Sequence, residues 1–128
     1  MDSTEFLDSN IIVYAFTNNP RKEKCRKAIR ERNLVTNSLA VAESIAQISI
    51  ITDKEQARQA FIVILKSGNL KIIDLDSNLL FESIKRVQKY DLKLFDLIHY
   101  TTCILNDCQG ILSYDNDFNK LEIPRKEP

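Results

Sequence analysis

Short apolar runs alternate with amphipathic stretches along this chain, and that alternation limits the folds open to it. Glu5-Phe6-Leu7, Leu34-Val35-Thr36, Leu70 to Ile73 and Gly110-Ile111-Leu112-Ser113-Tyr114 read as buried strands. Helical patterns lie between them. Ile11, Ile12, Tyr14 and Ala15 follow a cap at Ser9 or Asn10, and a basic helix runs from Pro20 to about Arg32. Another spans Leu39 to about Ile50 after a cap at Asn37 or Ser38. Asp53 opens a helix with a stripe of Ala57, Ala60, Phe61, Ile64 and Leu65, which Gly68-Asn69 stops. Asp76 caps a helix carrying Leu80, Ile84 and Val87, and Leu94 to Asn106 forms the next. Such alternation builds βαβ units with right-handed crossovers. The expected fold is α/β, a three-layer α/β/α sandwich around a mainly parallel sheet of four to five strands. No repeat or linker divides the 128 residues, so residues 1–128 read as a single domain, with Pro124-Arg125-Lys126-Glu127-Pro128 fraying at the end.

Rare residues exclude several chemistries. Two glycines, Gly68 and Gly110, are too few for a dinucleotide fingerprint and wrongly spaced for a P-loop. A single histidine, His99, cannot make a His–His metal site. Cys25, Cys103 and Cys108 are odd in number and form no C-x-x-C pair, which favours a reducing, cytoplasmic setting. The opening MDSTEFLDSN lacks the basic and apolar regions of a signal peptide, and no apolar run is long enough to span a membrane.

What remains plentiful is carboxylate. Ligands of parallel sheets sit at the carboxyl ends of the strands, and two predicted strands end on aspartates, Asp8 and Asp115. Glu43 and Asp96 lie inside helical segments among apolar neighbours, where an acid is expected to be paired or metal-bound. Two unit charges about 4 Å apart repel by roughly 4 kcal/mol at an effective dielectric of 20. Several such pairs would rival a domain's stability of about 5–15 kcal/mol. A convergent cluster must therefore take up protons or bind a cation. All-carboxylate ligands suit a hard ion, Mg²⁺ or Mn²⁺, which can promote phosphodiester hydrolysis. Taken singly, Asp8 and Asp115 read as helix caps; it is their joint placement with two intrahelical acids that reverses this.

The order and setting of these acids resemble the PIN domain, a metal-dependent nuclease family that includes the VapC toxins of toxin–antitoxin pairs. Phe6-Leu7-Asp8-Ser9-Asn10-Ile11-Ile12-Val13-Tyr14-Ala15 resembles the family's opening motif, with Ser9 where threonine is commoner. Glu43 falls where the family keeps a helical glutamate. Phe95-Asp96-Leu97-Ile98-His99-Tyr100-Thr101-Thr102 resembles its aspartate-alanine helix start, with Leu97 and Thr101 where alanines are commoner. Leu112-Ser113-Tyr114-Asp115-Asn116-Asp117-Phe118 resembles the closing [TS]-x-D-x-D-F motif. The resemblance runs from Glu5 to Ile123. It implies that Asp8, Asp96 and Asp115 are catalytic metal ligands, that Glu43 holds a second ion or binds through water, and that Asp117 ligates or orients the Asp115 turn. Asn10 and Ser113 would support these ligands by hydrogen bonds. It further implies an endoribonuclease acting as a toxin, homodimeric and inhibited by a small antitoxin.

The chain has 18 basic and 18 acidic residues, so no net positive field announces a nucleic-acid partner. The neutrality is uneven, because Arg21 to Arg32 carries seven basic residues against Glu23 and Glu31. Arg26, Lys27 and Arg30 are therefore candidates for contacting the RNA backbone, against the plainer reading of a solvated helix face. His99 reads as a satisfied core or rim residue, and Cys103 and Cys108 as buried filler. A phosphoacceptor receiver is the rival from another class, with Asp74 as its phosphorylated acid. It leaves Glu43 and Asp96 unexplained, gives Asp8 no acidic neighbour, and finds no lysine directly after the Ile111–Tyr114 strand. A PIN nuclease of RNA processing, without a toxin role, is the nearer alternative.

Overall fold

A computed structural model describes residues 3–128. The strands are β1 (Glu5–Leu7), β2 (Leu34–Asn37), β3 (Leu70–Ile73), β4 (Gly110–Leu112) and β5 (Arg125–Lys126). The helices are α1 (Ser9–Ala15), α2 (Lys22–Glu31), α3 (Ser38–Ile51), α4 (Lys54–Lys66), α5 (Ser77–Ile84) and α6 (Leu94–Leu105), with a 3₁₀ turn at Asn116–Phe118. All five strands run parallel, in the order β3-β2-β1-β4-β5. The α/β architecture is the expected one. Among the described residues no helix is long and apolar enough to cross a membrane.

Alternation along each strand divides the core in two. Leu7, Leu34 and Leu112 face one layer with Ile11, Ile12, Val41, Ile48 and Ile64 of α1, α3 and α4. Their neighbours Phe6, Val35 and Ile111 face the other, against Tyr100 and Cys103 of α6 and Phe118. Period-two burial on both faces is what a central parallel sheet requires. The β1–β2–β3 run is built outward in one direction, and the chain then returns through α5 and α6 to place β4 on the other side of β1. The order reverses between β1 and β4, and a crevice opens at such a point beyond the carboxyl ends of the strands.

Several element ends differ from expectation. Asp8, not Ser9 or Asn10, is the cap of α1, accepting from Ser9 N at 2.8 Å. Helix α2 starts at Lys22 rather than Pro20, and α5 stops at Ile84, leaving Val87 in turns. Asn37, Asp53 and Asp76 cap α3, α4 and α5 by accepting from Ala40, Gln56 and Leu79 N. Strand β4 ends at Leu112, so Ser113 and Tyr114 lie in the following turn. The tail does not fray: Arg125 and Lys126 form β5, because the N–H groups of Ile111 and Ser113 find Pro124 and Lys126 carbonyls at 2.9 and 3.0 Å. Gly110 allows this approach, since a Cβ there would lie 3.0 Å from Lys126 Cε and 3.3 Å from Glu5 Oε2.

Phe6 is fully buried in β1, whereas Ile50 on α3 is 78% exposed. Phe6→Ala is expected to cost about 3–5 kcal/mol in urea unfolding, and Ile50→Ala under about 1 kcal/mol.

Candidate active site

The crevice is built from the ends of β1 and β4. Asp8 follows β1 directly and is 4% exposed, with its backbone N–H on the Leu112 carbonyl at 3.1 Å. Its Oδ1 receives the Ser9 N–H at 2.8 Å, and its Oδ2 receives the Ser113 hydroxyl at 2.6 Å and the Asn10 amide at 3.3 Å. Asn10 also donates to Ser113 Oγ at 3.0 Å and accepts from Tyr114 N at 3.2 Å. The Asp115 N–H donates to Ser113 Oγ at 2.9 Å, and the Asp117 N–H to Asp115 Oδ1 at 2.9 Å. Asn10 and Ser113 thus tie the first turn of α1 to the loop after β4, and both acids are oriented by donors. Burial pushes the Asp8 carboxyl up, and the hydrogen bonds from Ser113 and Ser9 oppose that rise.

Among the described residues, Asp96, Asp115 and Asp117 form one acid group: one carboxylate oxygen from each lies within 4.8 Å of the others. Asp96 is half-buried in the first turn of α6, on the opposite layer from α1. Its carboxyl is pushed up to about 6, first by burial and then by Asp115 and Asp8, with Asp117 adding to the repulsion. Three hard oxygen donors this close, one with raised proton affinity, fit a divalent cation. Asp8 and Glu43 lie outside that tight trio.

Glu43 stands on α3 with its side chain 33% exposed, so it is a half-buried rim group rather than an enclosed acid. Its Oε1 meets His99 Nε2 at 2.8 Å. His99 is 2% exposed, and its Nδ1 faces the Asn37 amide nitrogen at 3.1 Å. Asn37 Oδ1 is occupied by Ala40 N at 2.8 Å, so its amide nitrogen must be the donor. The network therefore assigns Nδ1 as acceptor and Nε2–H as the donor that holds Glu43. Asn37 also donates to Thr102 Oγ1 at 2.9 Å. His99 is the satisfied core group expected from its surroundings. Its bond to Glu43, and the part Asn37 plays beyond capping, escaped sequence reading because the partners are 56 and 62 residues away.

The remaining candidates lie elsewhere. Arg26 Nε donates to the Ala15 carbonyl at the end of α1, at 2.9 Å. Arg26 and Arg30 line a groove with Ser67 and Asn69, near the amino ends of the strands, and Lys27 is exposed on the same helix. The structure does not bring these three to the carboxylates. From the basic segment, Arg21 is the residue that reaches the crevice loop, with its guanidinium carbon 4.0 Å from the Tyr114 ring centre. Asp74, the acid a phosphoacceptor would use, follows the edge strand β3 and is exposed.

Comparison with known proteins bears on the fold and the family. VapC20 of Mycobacterium tuberculosis, described as a sarcin–ricin-loop-cleaving toxin, superposes with a TM-score of 0.79 at 13% identity, over 98% of this chain and 100% of that one. VapBC2 of Rickettsia felis, solved on a promoter DNA fragment, gives 0.70 at 20% identity, over 97% and 98%. A toxin–antitoxin complex from Klebsiella pneumoniae gives 0.70 at 18% identity, over 92% of each chain. No curated protein sequence matches the chain. The PIN domain family model matches residues 6–124, which takes in the ends of β1 and β4, Glu43 and the acid trio. This chain belongs to the PIN domain family.

Proposed function

We propose that the chain is a divalent-metal-dependent endoribonuclease, the toxin of a type II toxin–antitoxin pair, acting in the cytoplasm. The observation that carries this reading is the trio Asp96, Asp115 and Asp117 at the β1–β4 crevice of a PIN fold. These three would hold Mg²⁺ or Mn²⁺, with Asp8 and Glu43 completing the acidic wall. A bound cation supplies the Lewis acidity for water activation and for offsetting charge on the phosphate. The side chains of this protein do the rest. Ser113 and Asn10 hold Asp8 to one orientation, the Asp117 N–H holds Asp115, and His99 holds Glu43 with one carboxylate oxygen free. Arg26, Lys27 and Arg30 add longer-range attraction for the RNA backbone.

Two apolar surfaces support partners of this role. A groove of about 820 Å³ between α3 and α4 is lined by Val41, Ala42, Ile45, Phe61 and Leu65, with Lys54 and Arg58 at its edge. It suits an amphipathic antitoxin helix with acidic flanks. On the opposite layer Phe81, Ile84, Val87, Leu94 and Phe95 are each at least 43% exposed, which suits a second copy of the chain.

Three measurements check the proposal. Asp8→Asn and Asp96→Asn should each abolish Mg²⁺-dependent RNA cleavage while leaving the circular dichroism spectrum intact; cleavage retained by either places the activity elsewhere. Stability should also depend on pH through Asp96. Its folded value of about 6 lies above the unfolded 3.8, so the native state binds more protons and stability falls as pH rises through that interval. Near pH 5 the surface acids Glu55 and Glu82, lowered by Arg58 and by Arg86 with Lys85, add a small slope of the opposite sign, which parent and variant share. Metal-free Asp96→Asn should therefore gain melting temperature over the parent at pH 7 and much less at pH 5, and Mn²⁺ should stabilise the parent more at pH 7. Finally, the parent should sediment as a dimer and Phe81→Glu/Ile84→Glu as a monomer; a monomeric parent removes the dimer from the proposal.

A further inference from the structure

An acidic crevice repels the polyanion it is proposed to cut, so a fixed cation beside it has a physical role. Arg21 is placed for that. It is exposed, and among the described residues it has no carboxylate partner, whereas Arg32, Arg58, Arg86 and Arg125 each have one. Its guanidinium is nevertheless held. The central carbon lies 4.0 Å from the Tyr114 ring centre and 5.1 Å from that of Tyr14, and Nη1 donates to the Tyr14 hydroxyl at 3.2 Å. The two rings meet edge to face at 5.4 Å.

The platform belongs to the site loop itself. Tyr114 lies between Ser113, which holds Asp8, and Asp115, and its backbone N–H is fixed on Asn10 Oδ1 at 3.2 Å. Its hydroxyl lies against the buried Cys25 thiol of α2. The rings use one face and one N–H of the guanidinium. Among the described residues Nε and Nη2 make no hydrogen bond, and they form the fork that matches two oxygens of a phosphate. Arg21 also stands at the N-terminus of α2, whose first turn carries Lys22 and Lys24 against Glu23.

We infer that Arg21, seated on Tyr114, binds a backbone phosphate of the RNA strand flanking the bond presented to the acids. The inference rests on the ribonuclease reading. It differs from a general attraction to the basic helix because one side chain, on one aromatic platform, takes one phosphate.

The test uses Asp96→Asn protein, with and without Arg21→Ala, and two probes: a 12-nucleotide oligouridylate and the same ribose-phosphate backbone without bases. Arg21→Ala should weaken binding of both probes by about fivefold at low salt and lower the slope of log affinity against log salt by about 0.7, one contact on a single strand. Arg21→Lys, which keeps the charge without the fork, should keep the slope and lose part of the affinity. In the otherwise unsubstituted protein, Arg21→Ala should raise KM for RNA cleavage and leave kcat near the parent value. An unchanged slope overturns the inference. So does a loss confined to the probe with bases, which would make Arg21 a stacking surface for a base. If the parent neither binds nor cleaves RNA, the ribonuclease reading fails and the inference with it; if the parent cleaves and Arg21→Ala binds as tightly as before, only the inference fails.

Discussion

The pairing of β1 with β4 joins residues more than a hundred positions apart, and the site depends on it. Glu5, Phe6 and Leu7 lie in register with Gly110, Ile111 and Leu112, and the ladder runs on to the Asp8 N–H on Leu112. Side chains then continue it, with Ser113 and Asn10 closing on Asp8. Without this parallel ladder Asp8 would be a lone cap and Asp115 a turn residue. With it they face one crevice, and α6 brings Asp96 from the other layer.

Such a crevice is electrostatically unfavourable, and the surrounding structure is arranged around that fact. Asp8 is buried but takes hydrogen bonds on both oxygens, which offset the loss of water. Asp96 has fewer donors and closer acids, so repulsion appears there as a raised proton affinity. Glu43 escapes part of it by standing at the rim and taking a donor from His99. Since Asn37 sets the His99 tautomer while capping α3, the helix start and the acid's position are coupled. Acids held this way and left with free oxygens are suited to a cation rather than to pairing with lysine or arginine. The cations near the crevice stand beside it, Arg21 on Tyr114 and Arg125 on the Ser113 carbonyl at 3.0 Å.

The strands and most caps were legible in the chain because they rest on local rules. Alternation in Phe6-Leu7, Leu34-Val35 and Ile111-Leu112 signals a sheet buried on both faces, and Asp53 and Asp76 announce helices by their own geometry. The acids could be listed for the same reason: an aspartate after an apolar strand and a glutamate among alanines are visible without coordinates. Expectation and structure differ where a partner is distant along the chain. Strand β5 looks like a polar tail because its strand partner is β4 and Lys126 reaches Glu5, contacts that no local pattern shows. The basic helix looked uniform, yet its orientation carries Arg26 and Arg30 toward the amino ends of the strands and leaves Arg21 at the other end.

The sequence by itself determined the α/β class, the order of the six helices and of β1 to β4, and the roster of acids, since periodicity and capping are properties of neighbours along the chain. Tertiary structure decided which acids come within 4.8 Å, and that Glu43 stays outside that trio. It also decided that His99 donates to Glu43 and that one arginine of seven basic residues stands by the site loop. Those facts depend on sheet order, on the crossover that carries α6 to the second layer, and on distances between residues far apart in the chain.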